Sequence, residues 1–399
     1  MTLAETTLSI CIPTYNRAKA LDRLLSNICT ETEALEENVE VCISDNCSPD
    51  ETQTIVKKWA TKLQIVYKRN PKNVGFDLNV IGAVKLATGK FIWLSGDDDV
   101  FFEGAIANFL SDLKTIGNED VGAIYLAGKE DKTCNNLDFE KFTLFQPENL
   151  PYLEDLSFMG CIAFKRDTAL DVINKSIEVR DGKTYKTEFK TTVMYDFMHT
   201  YLFVECMKRS KLVGVAPRYG IRKIDDGNEF TQKRYIKMLL RHIEYVRHLR
   251  DYYGQYEALL PKKRYSRFLV SFFRYFLLYG TILSQNEELE GFYQLQYRLL
   301  YTMIKKEKRN DLLPFLEIMN RCRRNKLFIF SIVLAFKAFK RIKRNNIPEV
   351  GVKDMRAVSE EIYAAFKDEI DTLPEFQKDN YDEAFLDDCL SHMLYRTND

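Results

Sequence analysis

Residues 73–99, NVGFDLNVIGAVKLATGKFIWLSGDDD, carry the clearest fold signal in the chain. The apolar spacing of Asp77–Ala87 predicts a helix, and the Thr88-Gly89 pair is a signal for its end. Phe91–Leu94 is a short, fully apolar run typical of a buried strand, and three acids follow at Asp97–Asp99. A helix, a buried strand and a polar cluster, in that order, form the repeating unit of an α/β sheet.

The same alternation continues on both sides of this stretch. Apolar runs predict further strands, and amphipathic runs predict helices between them. Because single helices separate the strands, we expect an α/β fold with a mostly parallel, Rossmann-like sheet flanked by helices. The predicted strands are Leu8–Pro13, Val39–Ser44, Leu63–Lys68, Val121–Leu126 and Met159–Phe164, and the predicted helices are Lys19–Thr30, one starting at Ser48-Pro49-Asp50-Glu51, Ala105–Leu113 and Phe197–Met207.

Polar clusters follow four of the predicted strands, at the point where each strand ends. In a parallel sheet the carboxyl ends of the strands share one edge, and ligands bind beyond it. We therefore expect one site built from Thr14–Arg17, Asp45-Asn46, Arg69-Asn70 and Asp97–Asp99.

The aspartate triplet indicates a metal site. Three adjacent carboxylates repel one another, and a hard divalent cation such as Mg²⁺ or Mn²⁺ relieves that repulsion. Such an ion takes one or two protein carboxylates and fills its remaining positions with phosphate oxygens. The candidate ligands are Asp97, Asp98 and Asp99, and the pattern leaves open which two bind. The alternative interpretation is a solvated acidic turn that caps the next helix.

The other clusters suit the remaining parts of a nucleotide diphosphate. Asp45 is placed to accept a hydrogen bond from a base N–H, as in uracil or thymine, although a single acid at a strand end also serves as a turn former. The accompanying candidates lie just beyond the first and third strands: Pro13, Thr14 and Tyr15 for backbone contacts and a stacking ring, and Arg17, Lys68 and Arg69 for the diphosphate.

Composition narrows the function classes. The 399 residues carry 58 basic and 58 acidic side chains, so no net field points to nucleic acid. The nine cysteines show no zinc-ligand spacing, and the N-terminus lacks the pattern of a secretory signal. We therefore expect a cytoplasmic protein with reduced cysteines.

The chain changes character after residue 230. Residues 231–347 are predicted to be helical and basic, and residues 348–399 form an acidic helical tail after Pro348. Within the basic region, residues 321–344 have Lys and Arg at both ends and an apolar centre too short to span a bilayer. This pattern favours a helix lying on an anionic membrane surface, with a buried core helix as the alternative.

Three segments together resemble glycosyltransferase family 2, a group of inverting enzymes with the GT-A fold. They are ICIPTYNR at residues 10–17, ISDNCSPDET at 43–52, and the 73–99 stretch. The resemblance is strong over residues 8–125 and weak over 150–230. It is greatest to the branch that includes abequosyltransferase-like enzymes of bacterial surface polysaccharide synthesis.

The resemblance implies a catalytic domain at residues 1–230 that transfers a sugar from a UDP- or dTDP-sugar, with Mn²⁺ or Mg²⁺. The acceptor would be a glycan or a lipid-linked glycan, reached at the inner face of the cell membrane. On the family pattern, Asp45 forms a hydrogen bond to the nucleotide base. Asn73 and Gly75 lead into the helix that lines the donor site, and Asp97–Asp99 form the metal motif. Many members have an acid two residues before the paired aspartates, where this chain has Gly96.

The resemblance also implies a catalytic base in the second half of the domain. Asp196, ahead of an apolar helix, is the first choice, and Glu154 with Asp155 is the second. A loop carrying Arg222, Lys233 and Arg234 is expected to close over the diphosphate.

Two other functions compete with sugar transfer. A nucleotidyltransferase also combines an α/β sheet with metal-binding acids, but it normally has a glycine-rich basic loop after its first strand, and PTYNRAKALDR has no glycine. A non-catalytic scaffold of a polysaccharide assembly complex has no need of three repelling aspartates.

Overall fold

The computed structural model describes residues 6–35, 38–117, 119–127, 141–150, 158–180, 183–186, 197–216, 221–223 and 310–325, with scattered positions at 153, 156 and between 284 and 305. The chain divides into two compact units. The first comprises Met1–Asp226 with Asp251–Leu260, and the second comprises Gly227–Arg250 with Pro261–Asp399.

An eight-stranded sheet forms the centre of the first unit. Its strands are β1 Leu8–Thr14, β2 Val39–Asp45, β3 Ile65–Arg69, β4 Phe91–Leu94, β6 Val121–Leu126, β7 Thr143–Phe145, β8 Ile162–Lys165 and β11 Leu212–Ala216. They lie in the order β3-β2-β1-β4-β8-β6-β11-β7. The four strands β3, β2, β1 and β4 are parallel neighbours, whereas β8 runs antiparallel to both β4 and β6.

Two strand pairs stand apart from this sheet. One joins β9 Ile177–Arg180 to β10 Lys183–Lys186, and the other joins β5 Asp99–Phe101 to β12 Ile221–Lys223. The second pair brings a segment more than a hundred residues away beside the aspartate triplet, because β5 begins at Asp99.

Helices cover both faces of the large sheet. They are α1 Ala18–Thr32, α2 Thr52–Trp59, α3 Phe76–Leu86, α4 Ala105–Ile116, α5 Arg166–Ser176 and α6 Met198–Lys208. On one face, the apolar stripe of α1 packs with α4 against alternate residues of β1 such as Leu8 and Ile10. On the other face α3 lies close to β1, where the Cys11 thiol donates to the Ala83 carbonyl at 3.4 Å. The predicted α/β fold class, a Rossmann-like sheet flanked by helices, is confirmed.

Most predicted boundaries differ from the structure by one to three residues, and two predicted starts are wrong for a visible reason. Helix α2 begins at Thr52 and not at Ser48, because the Ser48 hydroxyl instead accepts the backbone N–H of Asn16 at 2.9 Å. Strand β8 begins at Ile162, since residues 159–161 form a 3-10 turn.

Gly89 was predicted to end a helix, but its structural role is different. Its φ is not positive, and a Cβ there would lie 2.7 Å from the Ser9 hydroxyl and 2.9 Å from the Leu8 backbone. Gly89 is therefore required by the close approach of this turn to β1.

The described part of the second unit is helical. Helix α7, Leu313–Cys322, follows a 3-10 turn and buries Leu316 and Met319. Arg323 and Arg324 both pair with Glu290, at 2.6 and 3.2 Å. The predicted boundaries at 230 and 347, the acidic tail and most of the predicted membrane-surface segment 321–344 lie outside the described residues and stay predictions. Residues 321–325 of that segment are described, and they form the end of α7 and a turn.

No helix in the described part of the chain is long and apolar enough to cross a membrane.

Candidate active site

The carboxyl ends of β1, β2, β3 and β4 meet at one edge of the sheet, hereafter the carboxyl edge. Backbone hydrogen bonds link the strand ends: Asn46 N–H donates to the Thr14 carbonyl at 2.9 Å, and Asn70 N–H donates to the Asp45 carbonyl at 2.8 Å. The Ser95 N–H beyond β4 donates to the Cys11 carbonyl of β1 at 3.0 Å. The four polar clusters that the sequence singles out therefore lie on the same edge.

Arg17 links the first cluster to the aspartate triplet. One guanidinium nitrogen, Nη1, lies 3.1 Å from Asp97 Oδ1 and 2.8 Å from Asp98 Oδ2. The sequence proposes Arg17 for the diphosphate, whereas in this structure its charge is directed at the two carboxylates.

Asp97 is buried, and its pKa is shifted from the ordinary value of an aspartate. Its residue is 6% exposed, and its second oxygen accepts the Thr14 hydroxyl at 2.7 Å. Burial raises the pKa of Asp97 to about 6, against the opposing effects of the Arg17 cation and the Thr14 hydrogen bond. A cation next to this carboxyl therefore compensates for its loss of water.

Asp99 has a structural task in the same turn. Its Oδ2 accepts the Gly96 N–H at 2.7 Å, and the residue is 1% exposed. A Cβ on Gly96 would lie only 3.0 Å from that oxygen and 3.1 Å from Asp98 Oδ1. A side chain at Gly96 would therefore crowd the carboxylates of Asp98 and Asp99 in their present positions.

These positions bear on the expected divalent ion. Within the described ranges, no three His, Cys, Asp or Glu side chains are grouped to hold a metal. One carboxylate oxygen of Asp97 and one of Asp98 nevertheless converge on a single point, which Arg17 Nη1 occupies. Two carboxylates suffice for Mg²⁺ or Mn²⁺ when substrate phosphates complete the coordination, so the residues present fit such an ion.

Asp45 lies wholly buried at the end of β2. Oδ1 accepts the Ser48 N–H at 2.8 Å, and Oδ2 accepts the Tyr67 hydroxyl at 2.7 Å and lies 3.5 Å from Arg69 Nε. The Tyr67 phenol has a raised pKa because of burial and this hydrogen bond. Each carboxylate oxygen keeps a second lone pair. The chain therefore fixes Asp45 in orientation while leaving acceptor capacity.

The Asn73-Val74-Gly75 turn is held by Asn46. The Asn46 amide donates to Asn73 Oδ1 at 2.9 Å and to the Gly75 carbonyl at 3.2 Å, and its oxygen accepts the Val74 N–H at 2.8 Å. Gly75 has φ +87°, and no described atom lies within 4 Å of the position a Cβ would take. The turn therefore delivers the start of α3 to the carboxyl edge with open space in front of it.

Three supporting residues escaped sequence reasoning: Tyr67, Asn79 and Asp77. Asn79 in α3 joins three strand ends, since its oxygen accepts from Ser44 Oγ and Asn70 Nδ2 and its amide donates to the Thr14 carbonyl. No local pattern marks these residues, because their partners are distant in sequence.

Asp77 connects α3 to the start of α6. Its Oδ1 accepts the backbone N–H of Met198, the first residue of α6, at 3.3 Å. Beside this contact, the ring of Phe76 meets the ring of His199 edge to face at 6.0 Å between centroids. The N-terminus of α6 is thereby held next to the turn at Gly75.

Several predicted site residues receive no test. Asp196, Glu154, Asp155, Lys233 and Arg234 lie outside the described residues. Arg222 lies in β12, with its backbone paired to Val100 of β5, so it belongs to a strand and not to the predicted loop. Pro13 is buried in β1, whereas Tyr15 beyond it is 44% exposed at the edge.

Comparisons with known proteins agree with this arrangement. Residues 9–172 match the family model described as Glycosyl transferase family 2. The chain is 35% identical over 130 residues to the abequosyltransferase RfbV of Salmonella typhimurium, covering 32% of this chain and 37% of the relative. It is 47% identical over 60 residues to validoxylamine A glucosyltransferase of Streptomyces hygroscopicus, covering 15% and 14%. The chain thus spans less than half the length of these curated relatives.

Among solved structures, Staphylococcus aureus TarS 1–349 in complex with UDP-GlcNAc gives a TM-score of 0.42 at 15% identity, covering 90% of this chain and 92% of that one. This is a distant likeness.

Proposed function

We propose that this chain, whose residues 9–172 form a glycosyl transferase family 2 domain, is an inverting glycosyltransferase. It moves a sugar from a nucleotide-diphosphate sugar to a glycan or polyprenyl-linked glycolipid of a bacterial surface polysaccharide. UDP- or dTDP-sugars are the proposed donors, and Mn²⁺ or Mg²⁺ is the proposed cofactor.

One observation carries this proposal. A buried, oriented carboxylate at Asp45 and a carboxylate pair at Asp97 and Asp98 lie on the same sheet edge, with Arg17 between the pair. The first suits a base N–H, and the second suits a cation bound to phosphates. A nucleoside diphosphate is the ligand class that needs both at once.

The reaction is a single displacement at the anomeric carbon. The acceptor oxygen forms a bond to that carbon, the bond to the diphosphate oxygen breaks, and the nucleoside diphosphate leaves with the electron pair. When bound at Asp97 and Asp98, a divalent ion supplies Lewis-acid stabilisation of the leaving diphosphate. Asp45 and Tyr15 bind the nucleotide base, while the turn at Gly75 presents the N-terminal amides of α3 to the donor.

The acceptor hydroxyl needs a base to take its proton as the bond forms. We assign this task to Asp196, which precedes α6 by two residues, with Glu154 and Asp155 as the alternative pair. The support is that Asp77 fixes Met198, the first residue of α6, beside the turn at Gly75, and Asp196 comes two residues before Met198 in the sequence. One displacement by one base inverts the configuration.

A membrane-bound acceptor accords with the basic 321–344 segment, which we propose to lie on an anionic surface. The proposed location is the cytoplasm, at the inner face of the cell membrane. Replacing Lys340, Arg341, Lys343 and Arg344 by Gln should then release the protein from anionic liposomes, whereas wild-type protein that never pellets with them would refute the surface role.

Thermal unfolding with a nucleotide panel tests the proposed function. We expect UDP or dTDP, and their sugars, to raise the melting temperature in Mn²⁺ more than in EDTA, because ligands that bind the folded state stabilise it. GDP and CDP serve as controls for base selection.

Two outcomes would replace the proposal. Indifference to every nucleotide would favour a scaffold. Formation of a nucleotide sugar from a nucleoside triphosphate and a sugar 1-phosphate would favour a nucleotidyltransferase.

A further inference from the structure

Arg17 occupies the position where the two metal-site carboxylates converge. A single nitrogen, Nη1, lies within 3.1 Å of oxygens from both Asp97 and Asp98, so one positive charge serves two negative ones. The side chains of Asp97 and Asp98 are only 8% and 13% exposed, so water screens their repulsion poorly. A divalent ion that bridges the same two oxygens would have to displace this nitrogen.

The backbone around Arg17 is anchored independently of its side chain. The Arg17 carbonyl accepts the Leu21 N–H at 3.0 Å, and the next residue, Ala18, donates its N–H to Asp50 at 2.8 Å. Its side chain is 28% exposed and borders the edge where the donor phosphates are proposed to bind. The guanidinium is therefore free to change partners by rotation alone, without movement of α1.

We infer that Arg17 is a built-in counter-ion that holds Asp97 and Asp98 in the absence of a divalent ion and moves to the donor diphosphate when ion and donor arrive together. The inference rests on the proposed function. It makes Arg17 a competitor of the ion in the free protein and a partner of the donor in the complex. Ion and donor then bind cooperatively, because each favours the same displacement of Arg17.

This arrangement predicts that the loss of Arg17 changes the metal affinity in the direction opposite to the usual one. Removing a residue that supports a metal site normally weakens metal binding. Removing Arg17 should strengthen it, because the ion no longer competes with a guanidinium for the Asp97 and Asp98 oxygens. Donor binding should show the opposite change, since the diphosphate loses a cation.

The test measures Mn²⁺ binding without nucleotide, from the electron paramagnetic resonance of free Mn²⁺ at pH 8. We expect Arg17→Ala and Arg17→Gln to bind Mn²⁺ about tenfold more tightly than wild type. Lys19→Ala is the matched control, because it removes the same charge two residues later at an exposed position in α1, and its affinity should stay within about twofold. Arg17→Gln preserves a polar side chain in case the alanine variant folds poorly.

A second measurement separates this role from a merely structural one. Calorimetry gives the factor by which Mn²⁺ improves the affinity for UDP and for dTDP. The factor should fall about tenfold in Arg17→Ala, whereas general damage to the site would lower both affinities and leave their coupling unchanged.

The outcomes distinguish the two levels of the account. If wild type binds nucleotide with Mn²⁺ but the Arg17 variants bind Mn²⁺ no more tightly, the counter-ion role is wrong and the proposed function stands. If wild type binds neither Mn²⁺ nor any nucleotide with it, the proposed function fails and the counter-ion role fails with it.

Discussion

Strand β2 carries a buried carboxylate at each end, and the two differ in what surrounds them. Glu40, near the amino end, is 1% exposed and accepts hydrogen bonds from Ser9 Oγ, Thr88 N and Oγ1, and Gly89 N, at 2.6 to 3.2 Å. Among the described residues, the side chain of Asp45, at the carboxyl end, accepts the Ser48 N–H and the Tyr67 hydroxyl and lies 3.5 Å from Arg69 Nε.

We interpret this difference as a structural use of the Glu40 carboxylate and a proposed ligand-binding use of the Asp45 carboxylate. The partners of Glu40 are backbone and hydroxyl groups that tie β1, β2 and the turn before β4 together. The partners at the carboxyl edge include Arg17 and Arg69, whose side chains are 28% and 41% exposed, so that network reaches solvent. Buried acids whose partners reach an open edge are the better candidates for ligand binding.

The largest effect that would sharpen this comparison is expected at Asp98. Asp98→Ala should lower sugar transfer by about a thousandfold or more, because stabilisation of the leaving diphosphate by a metal is worth several kcal/mol. The melting temperature should change little. Transfer is measured with the donor that the nucleotide panel selects, and Glu119→Ala, an exposed acid beyond α4, is the control. Full activity in EDTA would contradict this prediction.

The next largest effect is expected at the proposed catalytic base. Asp196→Asn should lower kcat by about 10²–10⁴-fold, since Asn keeps the size of the side chain but cannot take a proton. Donor affinity should stay within about threefold, because the base touches the acceptor. Glu154→Gln and Asp155→Asn are compared in the same assay. Near-normal turnover of Asp196→Asn, together with an inactive variant of the earlier pair, would move the base to residues 154–155.

Glu40→Ala should affect folding and spare binding. Loss of the carboxylate leaves the Thr88 amide and the Ser9 hydroxyl without their acceptor, while the Gly89 amide keeps Ser9 Oγ as a second acceptor. The free energy of unfolding should therefore fall by about 2–4 kcal/mol. Nucleotide affinity, measured well below the melting temperature, should match wild type. A variant of normal stability with weakened nucleotide binding would break the distinction between the two ends of β2.

Asp45→Ala, unlike Glu40→Ala, should weaken nucleotide binding, and it should also lower the free energy of unfolding because the Ser48 N–H and the Tyr67 hydroxyl lose their acceptor. Donor nucleotide affinity should fall by about 1–3 kcal/mol, the scale for a buried hydrogen-bonding group left unpaired. Tyr67→Phe, which keeps the ring and removes only the hydroxyl donor, should have a smaller effect in the same direction. If calorimetry shows unchanged affinity for UDP and dTDP in Asp45→Ala, Asp45 is a turn residue.

Sequence patterns predicted the parts of this fold that depend on local signals. The strand Phe91–Leu94 was located to the residue, and the shared edge of the four polar clusters followed from strand–helix alternation alone. Apolar runs and helix periodicity suffice there, because both are set by neighbours in sequence.

Contacts between distant segments were beyond that reasoning. Ser48 was predicted to cap a helix, yet its hydroxyl accepts the Asn16 N–H. Asp77 was given no role beyond starting a predicted helix, yet it accepts the Met198 N–H. The pairing of β5 with β12 likewise joins Asp99 to Lys223, which no local signal announces. Tertiary contacts decide such roles, and a single sequence does not display them.

The most direct test of the central claim is a crystal structure with Mn²⁺ and the nucleotide that the panel selects, using the anomalous signal of manganese to locate the ion. The account predicts that the ion lies beside Asp97 and Asp98 at the carboxyl edge and is bound to the diphosphate. It also predicts that the nucleotide base lies beside Asp45 and that Arg17 is turned toward the phosphates. Manganese or nucleotide located away from that edge would contradict it.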